Sequence, residues 1–238
     1  MDWFLANISM VLDLAGQHLV LALVPMLLGL AISIPLAQAV RGNRALRTTV
    51  LTASSLLYTI PSLALFIILP PILGTLILSP VNVIVALTIY AVSLLVRAAL
   101  DAFDSVDEDL RDAATAMGFQ PAARFLFVDL PLSLPVLFAG LRVVSVSNIS
   151  LVSVAALLGI GNLGMLFTAG LQRDFVTEVV VGIVAILLLA LLTDGALVLL
   201  ERLLTPWTRA TAGRVRPSGL EAVQLESTPT RPRVERRA

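Results

Sequence analysis

Long stretches of this 238-residue chain contain no Asp, Glu, Lys or Arg. The longest runs from Thr48 to Val96, 49 residues, and Leu14–Val40 and Val143–Gln172 are likewise uncharged. A helix needs roughly 20 predominantly apolar residues to cross a bilayer core, so the longest run has room for two crossings and a turn. The pattern predicts an all-α membrane protein of about five transmembrane helices, at about His18–Val40, Thr49–Leu69, Val81–Val96, Leu132–Leu157 and Val176–Leu199. Pro25 and Pro35 interrupt the first span, which membranes tolerate when neighbours re-satisfy the backbone. The second ends in Pro70-Pro71, and an uncharged link through Gly74 and Pro80 leads to the third. Residues 2–15 alternate polar and apolar positions with Trp3 and Phe4 early, the pattern of a short interfacial helix. From Arg209 onward the chain is rich in Arg, Pro, Ser, Thr and Glu and predicts disorder. The implied division is an N-terminal external or interfacial segment at 1–16, a membrane domain at 17–206 and a cytoplasmic tail at 207–238.

Charge placement orients these spans. All sixteen basic residues are arginine, and fourteen fall in the 41–47 turn, the 97–129 segment or the C-terminal region. Arg173 alone lies on the other side, and Arg142 lies within the fourth span. Basic residues accumulate on the cytoplasmic face, so the expectation is an N-terminus outside and a C-terminus inside. Asp2 and Asp13 precede or open the first apolar run without any basic residue, the wrong sign for a cleaved signal peptide. Trp207 fits an aromatic anchor at the cytoplasmic interface. Hydrophobic residues make up 58% of the chain and charged ones 13%, far from the soluble balance. Zero net charge argues against nucleic acid as a partner. With no cysteine and one histidine, neither a disulfide framework nor a structural zinc site is expected.

The charged segment at 98–131 has internal organisation. Ser105-Val-Asp-Glu108 has capping-box spacing, and Val106, Leu110, Ala113, Ala114 and Met117 recur at helical spacing on one face. Gly118 stands at the expected left-handed cap, and Pro121 is placed to open a second short helix. The polar face is acidic, whereas helices resting on lipid headgroups favour Lys and Arg. A docking element for another protein is the preferred reading, and an amphipathic spacer remains open.

Several residues inside the spans carry a choice of roles. Arg142 and Asp194 are costly intramembrane charges that either pair between spans four and five or snorkel separately to the interface. His18 opens span one and reads as an interfacial residue. Asn148 and serines 145, 147, 150 and 153 either line a polar path or hydrogen-bond between packed helices. Gly159, Gly161 and Gly164 serve either a gate loop dipping toward a path or an ordinary turn. Quaternary ammonium ions are often held in aromatic cages. With two Trp and two Tyr in the chain, no cage is visible.

Asp112-Ala-Ala-Thr-Ala-Met-Gly118, followed by Val128-Asp-Leu-Pro131, resembles the E-A-A-x-x-x-G…I-x-L-P loop of binding-protein-dependent ABC importer permeases. Thr59-Ile-Pro-Ser-Leu-Ala-Leu65, Leu130-Pro-Leu-Ser-Leu-Pro-Val136, Ala139-Gly-Leu-Arg142 and the glycine-rich 159–164 are similar to the glycine betaine, carnitine and choline (ProW-like) subfamily. The resemblance covers about residues 15–206. It implies a type I importer fold and a coupling helix that docks on an ATPase subunit. Glu108, Arg111, Asp112, Ala113, Ala114, Met117, Gly118, Leu130 and Pro131 would form the coupling site. Pro61, Ser62, Asn148, Gly159, Gly161 and Gly164 would belong to the pathway or gate. It further implies a cytosolic ATPase dimer that binds the ATP, a second permease subunit, identical or paralogous, and an extracytoplasmic substrate-binding protein. No cofactor is expected in this chain, and no metal. Two departures stand out: Asp112 replaces the family's leading glutamate, one methylene longer, and Ile149-Ser-Leu-Val-Ser-Val-Ala155 is atypical of the subfamily. No G-x-x-x-x-G-K-[ST] occurs, so hydrolysis would fall to a partner. Importers of amino acids such as methionine are the nearest alternative. A membrane-embedded enzyme would need clustered polar groups in the spans. An ion-coupled secondary transporter would show inverted repeats and broken helices, and neither is legible in the sequence.

Overall fold

In a computed structural model, described over residues 2–207, the chain is helical throughout its ordered elements. A short helix α1 (Asp2–Ala6) precedes α2 (Ile8–Val40), and a tight turn leads to α3 (Arg44–Tyr58) and α4 (Ser62–Leu73). The central helix α5 (Pro80–Asp104) follows, then α6 (Glu108–Ala116) and α7 (Pro121–Arg124). One π turn (Phe125–Asp129) feeds α8 (Leu130–Val152), which tightens into a 3-10 segment (Ser153–Leu158). Last come α9 (Met165–Gln172) and α10 (Val176–Leu204). Four helical stretches are long and apolar enough to cross a membrane, and α3 with α4 reaches that length and apolarity only as a pair bent by 101°.

Local chemistry sets the ends of these elements. Asn43 caps α3, its side-chain oxygen accepting from the amides of Ala45 (3.0 Å) and Leu46 (3.2 Å). Ser79 and Pro80 open α5 as N-cap and first-turn proline. Gly74 ends α4 at φ +68, a conformation that a β-carbon would strain.

α5 is the axis of the bundle, with Val83, Leu87, Ala91, Leu95, Ala99 and Phe103 fully buried among α2, α3 and α8. Because lipid is as apolar as leucine, helices in a membrane associate through close van der Waals packing, which small residues permit. A β-carbon at Gly29 of α2 would lie 2.5 Å from that of Ala91, and one at Gly140 of α8 would collide with Ala98. These two glycines set how near α2 and α8 come to the axis. α10 packs on α8 and α9 and leaves Leu187, Leu188, Leu191 and Leu192 exposed, a lipid-facing surface.

The structure departs from the sequence pattern at several places. Only five residues form a separate N-terminal helix, and α2 runs without interruption across the expected 16/17 boundary. That starts the first span ten residues earlier and carries His18 three turns into it, where it is 0% exposed instead of interfacial. Span two is a broken helix, turned at Thr59–Pro61, and its second half runs through Pro70-Pro71 to Leu73. Span three continues past Arg97 to Asp104, so Arg97 lies two turns inside a helix. The expected cytoplasmic tail falls, apart from Trp207, at 208–238, outside the described residues.

Gly29→Ala and Gly140→Ala should each lower the thermal stability of the detergent-solubilised protein, by about 1–3 kcal/mol from overpacking. Gly195→Ala, whose added carbon would meet nothing within 4 Å, should be neutral or stabilising in the same assay.

Candidate functional site

At the arginine-rich end, α6 lies outside the candidate spans and turns at Gly118 into α7, which continues through the π turn into α8 and forms a helical hairpin with α6. The helix α6 starts at Glu108, with Asp107 as N-cap accepting from the Asp109 amide at 3.0 Å. Ser105 does not cap it: its hydroxyl donates to the Ala102 carbonyl and finishes α5 instead. Glu108 and Asp109 occupy the first turn, where the helix dipole favours negative charge. At the other end the Gly118 amide donates to Thr115 and the Phe119 amide to Ala114, with Gly118 at φ +88. This paired closure requires the left-handed conformation that glycine adopts without steric penalty.

The apolar face expected of α6 is divided in two. Val106 and Ala114 are buried against the bundle, whereas Leu110, Ala113 and Met117 face outward, Met117 at 72% exposed. Glu108, Asp112 and Gly118 are exposed beside them. An outward surface that mixes apolar and acidic residues on a short hairpin is what a protein partner would cover. Ala114 belongs to the inner contact, and Leu130 and Pro131 are half-buried in the first turn of α8.

Arg111 points inward rather than toward a partner. Its guanidinium donates to the Phe103 carbonyl and lies 3.4 Å from Asp129, a carboxylate that is 1% exposed. Arg41, in the turn after α2, reaches the other oxygen of Asp129 at 3.1 Å and sits over the Phe103 ring. Phe103 in turn meets Phe125 edge-on at 5.4 Å. The π turn ends on Asp129 and turns it into this cluster. A single buried carboxylate thus ties the outward hairpin to the ends of α2, α5 and α8. Asp129 is a residue that motif reading passed over, although a lone acid between Val128 and Leu130 at the mouth of an apolar span already calls for a cation.

Within the spans, two interruptions of a helix are met by a polar side chain from another helix. Pro61 is the extended N-cap of α4 and is exposed at the break, with Ser62 half-buried beside it. The Ile60 carbonyl at that break accepts from the Tyr90 hydroxyl at 2.6 Å. Where α8 tightens at Ser153, the Ser153 amide turns to Ser150, and the Ile149 carbonyl is met by His18 Nε2 at 2.8 Å. Asn148 donates in return to the Ala22 carbonyl of α2 at 3.1 Å. Asn148 is therefore buried between α2 and α8 and does not face a path.

The glycine-rich stretch is a packed turn and not an open loop. Gly159 takes φ +80, and β-carbons at Gly161 and Gly164 would collide with Gln17 and with the Ser153 carbonyl. Asn162, fully buried, accepts from the Gly164 amide at 2.7 Å and donates to Ile160 at 2.8 Å. Arg142 and Asp194 meet as a bidentate pair, Nε to Oδ1 at 2.6 Å and Nη2 to Oδ2 at 2.8 Å, joining α8 to α10.

Asp129→Asn leaves two guanidinium groups around a neutral amide. It should destabilise the detergent-solubilised protein by about 3–5 kcal/mol, read as a lowered unfolding midpoint. Arg142→Glu should abolish accumulation in the membrane, and adding Asp194→Arg should restore it. Failure of the double exchange to rescue would show that the pair does not hold α8 and α10 together.

Residues 29–206 match the family described as the binding-protein-dependent transport system inner membrane component. The chain is 35% identical over 207 residues to the osmoprotectant import permease protein OsmW of Salmonella typhimurium, covering 86% of this chain and 96% of that protein. It is 30% identical over 190 residues to the choline transport system permease protein OpuBB of Bacillus subtilis, with 80% and 86% covered. Among solved structures it is similar to an inward-facing form of the MetNI methionine ABC transporter, with a TM-score of 0.73 at 22% identity over 84% of this chain and 98% of that one. The chain belongs to the inner-membrane permease components of binding-protein-dependent ABC importers.

Proposed function

We propose that this permease passes small quaternary ammonium osmoprotectants, of the glycine betaine, carnitine and choline class, into the cell by alternating access. Its N-terminus is outside and its C-terminus cytoplasmic, in keeping with the arginine asymmetry. Energy comes from a separate ATPase dimer, each ATPase seated on the outward face of one α6. A second permease subunit completes the pathway, and an extracytoplasmic binding protein delivers the cargo. The observation that carries the coupling half of this reading is the exposed face of α6, anchored through Arg111 and Asp129 to three span ends. A push on that face is transmitted as a rigid displacement, because the cluster beneath it is buried and ion-paired.

The cargo class is drawn from the relatives, which are permeases of osmoprotectant import, choline transport and carnitine transport. Methionine is the cargo named for the MetNI structure, but at 22% identity that likeness speaks for the fold alone. An ion-coupled mechanism has no support from the family match.

Two measurements test these halves separately. The permease should co-purify with its cytosolic ATPase, and Gly118→Asp, which strains the left-handed cap and adds charge to the docking face, should reduce recovery of the ATPase about tenfold or more. Undiminished recovery would remove α6 as the docking element. Vesicles holding the whole assembly should take up labelled glycine betaine or choline only with ATP, and not methionine; methionine uptake alone would overturn the cargo class.

A further inference from the structure

Arg97, two turns from the C-terminal end of the apolar helix α5, has no ion-pair partner among the described residues and is exposed. Charges inside spans persist where they serve a cavity, a partner or a passing ligand. The Arg97 guanidinium extends toward α3, where Nη2 lies 3.5 Å from the Ser55 hydroxyl. Three residues along α3 is Tyr58, on the same face and with its Cβ about 5–6 Å from that of Ser55. The Tyr58 ring is 42% exposed and meets the Tyr90 ring edge-on at 5.7 Å. Tyr90 and Arg97 are seven residues apart on α5 and share one of its faces. Tyr90 is fixed by its hydrogen bond to the Ile60 carbonyl and buried, so it holds the Tyr58 ring in place while leaving part of it uncovered.

The broken span adds a field to this arrangement. α3 ends at Tyr58 inside the membrane domain, and its C-terminus carries the partial negative charge of the helix dipole. A quaternary ammonium cannot donate hydrogen bonds, so aromatic faces and carbonyl-rich helix ends are the surfaces that attract it. A carboxylate seeks the opposite, and a guanidinium with unclaimed donors one helical turn away supplies it.

We infer that Tyr58 and Arg97 form a path-facing waypoint for a short zwitterion, the Tyr58 ring and the end of α3 receiving its quaternary ammonium and Arg97 its carboxylate. The inference rests on the proposed cargo class and adds to it a place in this chain and a basis for telling zwitterion from plain cation. Its openness suits a waypoint, since a site that is crossed must release what it holds.

Uptake of labelled glycine betaine and of labelled choline is measured in proteoliposomes containing the permease, its ATPase and its binding protein, normalised to assembled complex. Tyr58→Leu should lower uptake of both by about threefold to thirtyfold, while Tyr58→Phe, which keeps the ring, should stay within roughly twofold. Arg97→Gln should lower the betaine-to-choline uptake ratio about tenfold, and Arg97→Lys should recover part of it. An unchanged ratio in Arg97→Gln, as expected of an arginine that only meets lipid headgroups, overturns the waypoint. So does an equal loss in Tyr58→Phe and Tyr58→Leu. If the unaltered assembly transports neither compound, the cargo reading fails and the ligand assignment with it; if it transports both and the variants are flat, only the waypoint fails.

Discussion

In a bilayer core no water is available to satisfy a backbone group that a helix abandons, and each orphan costs several kcal/mol. That constraint organises this molecule. Its helices are interrupted at several places, and at two of these breaks a polar side chain from another helix meets a carbonyl that the helix abandons. Tyr90 of α5 caps the turn between α3 and α4, His18 of α2 caps the tightening end of α8, and Asn148 of α8 ties back to the Ala22 carbonyl of α2. Asn82 does the same for the link between α4 and α5, donating to Leu76 at 2.8 Å. Because Tyr90 and His18 each reach across to another helix, these two caps are also cross-links.

The same logic distinguishes the two ends. At the glycine-rich end, Asn162 and the glycines make a compact turn in which Gly159 takes a left-handed φ and a β-carbon at Gly164 would strike the Ser153 carbonyl. At the arginine-rich end, the cross-link is ionic, and a carboxylate shared by Arg41 and Arg111 joins a hairpin that faces outward to helices that face inward. Hydrogen-bonded caps hold the spans in place relative to each other. The Asp129 cluster is where displacement of one exposed helix can reach several of them together.

Much of this was legible because lipid imposes its pattern directly on composition. Uncharged runs reported the spans, the isolated charges Arg142 and Asp194 reported each other, and Gly118 reported a left-handed cap. What escaped was whatever depends on direction within an apolar run. Residues 48–69 are equally apolar whether the helix runs straight or turns by 101°; Pro61 marks the place of the break but not its angle, nor that Tyr90, 30 residues beyond Ile60, caps it. His18 was misread because the start of a helix cannot be fixed by hydropathy when polar Asn7 and Asp13 precede the uncharged run. Tyr58 and Tyr90 form no local motif, and their pairing exists only once α3 and α5 are antiparallel neighbours. The stripe on α6 was split because periodicity identifies a face but not which of two apolar surfaces a hairpin turns outward.

The absence of cysteine makes a direct test of sidedness and coupling available, since a single Met117→Cys provides one thiol at the centre of the exposed α6 face. A membrane-impermeant maleimide should label it in inside-out vesicles and not in right-side-out cells, and bound ATPase should protect it. Labelling from the outer face, or labelling that the ATPase leaves undiminished, would contradict the assignment of α6 as the surface through which ATP hydrolysis drives this permease.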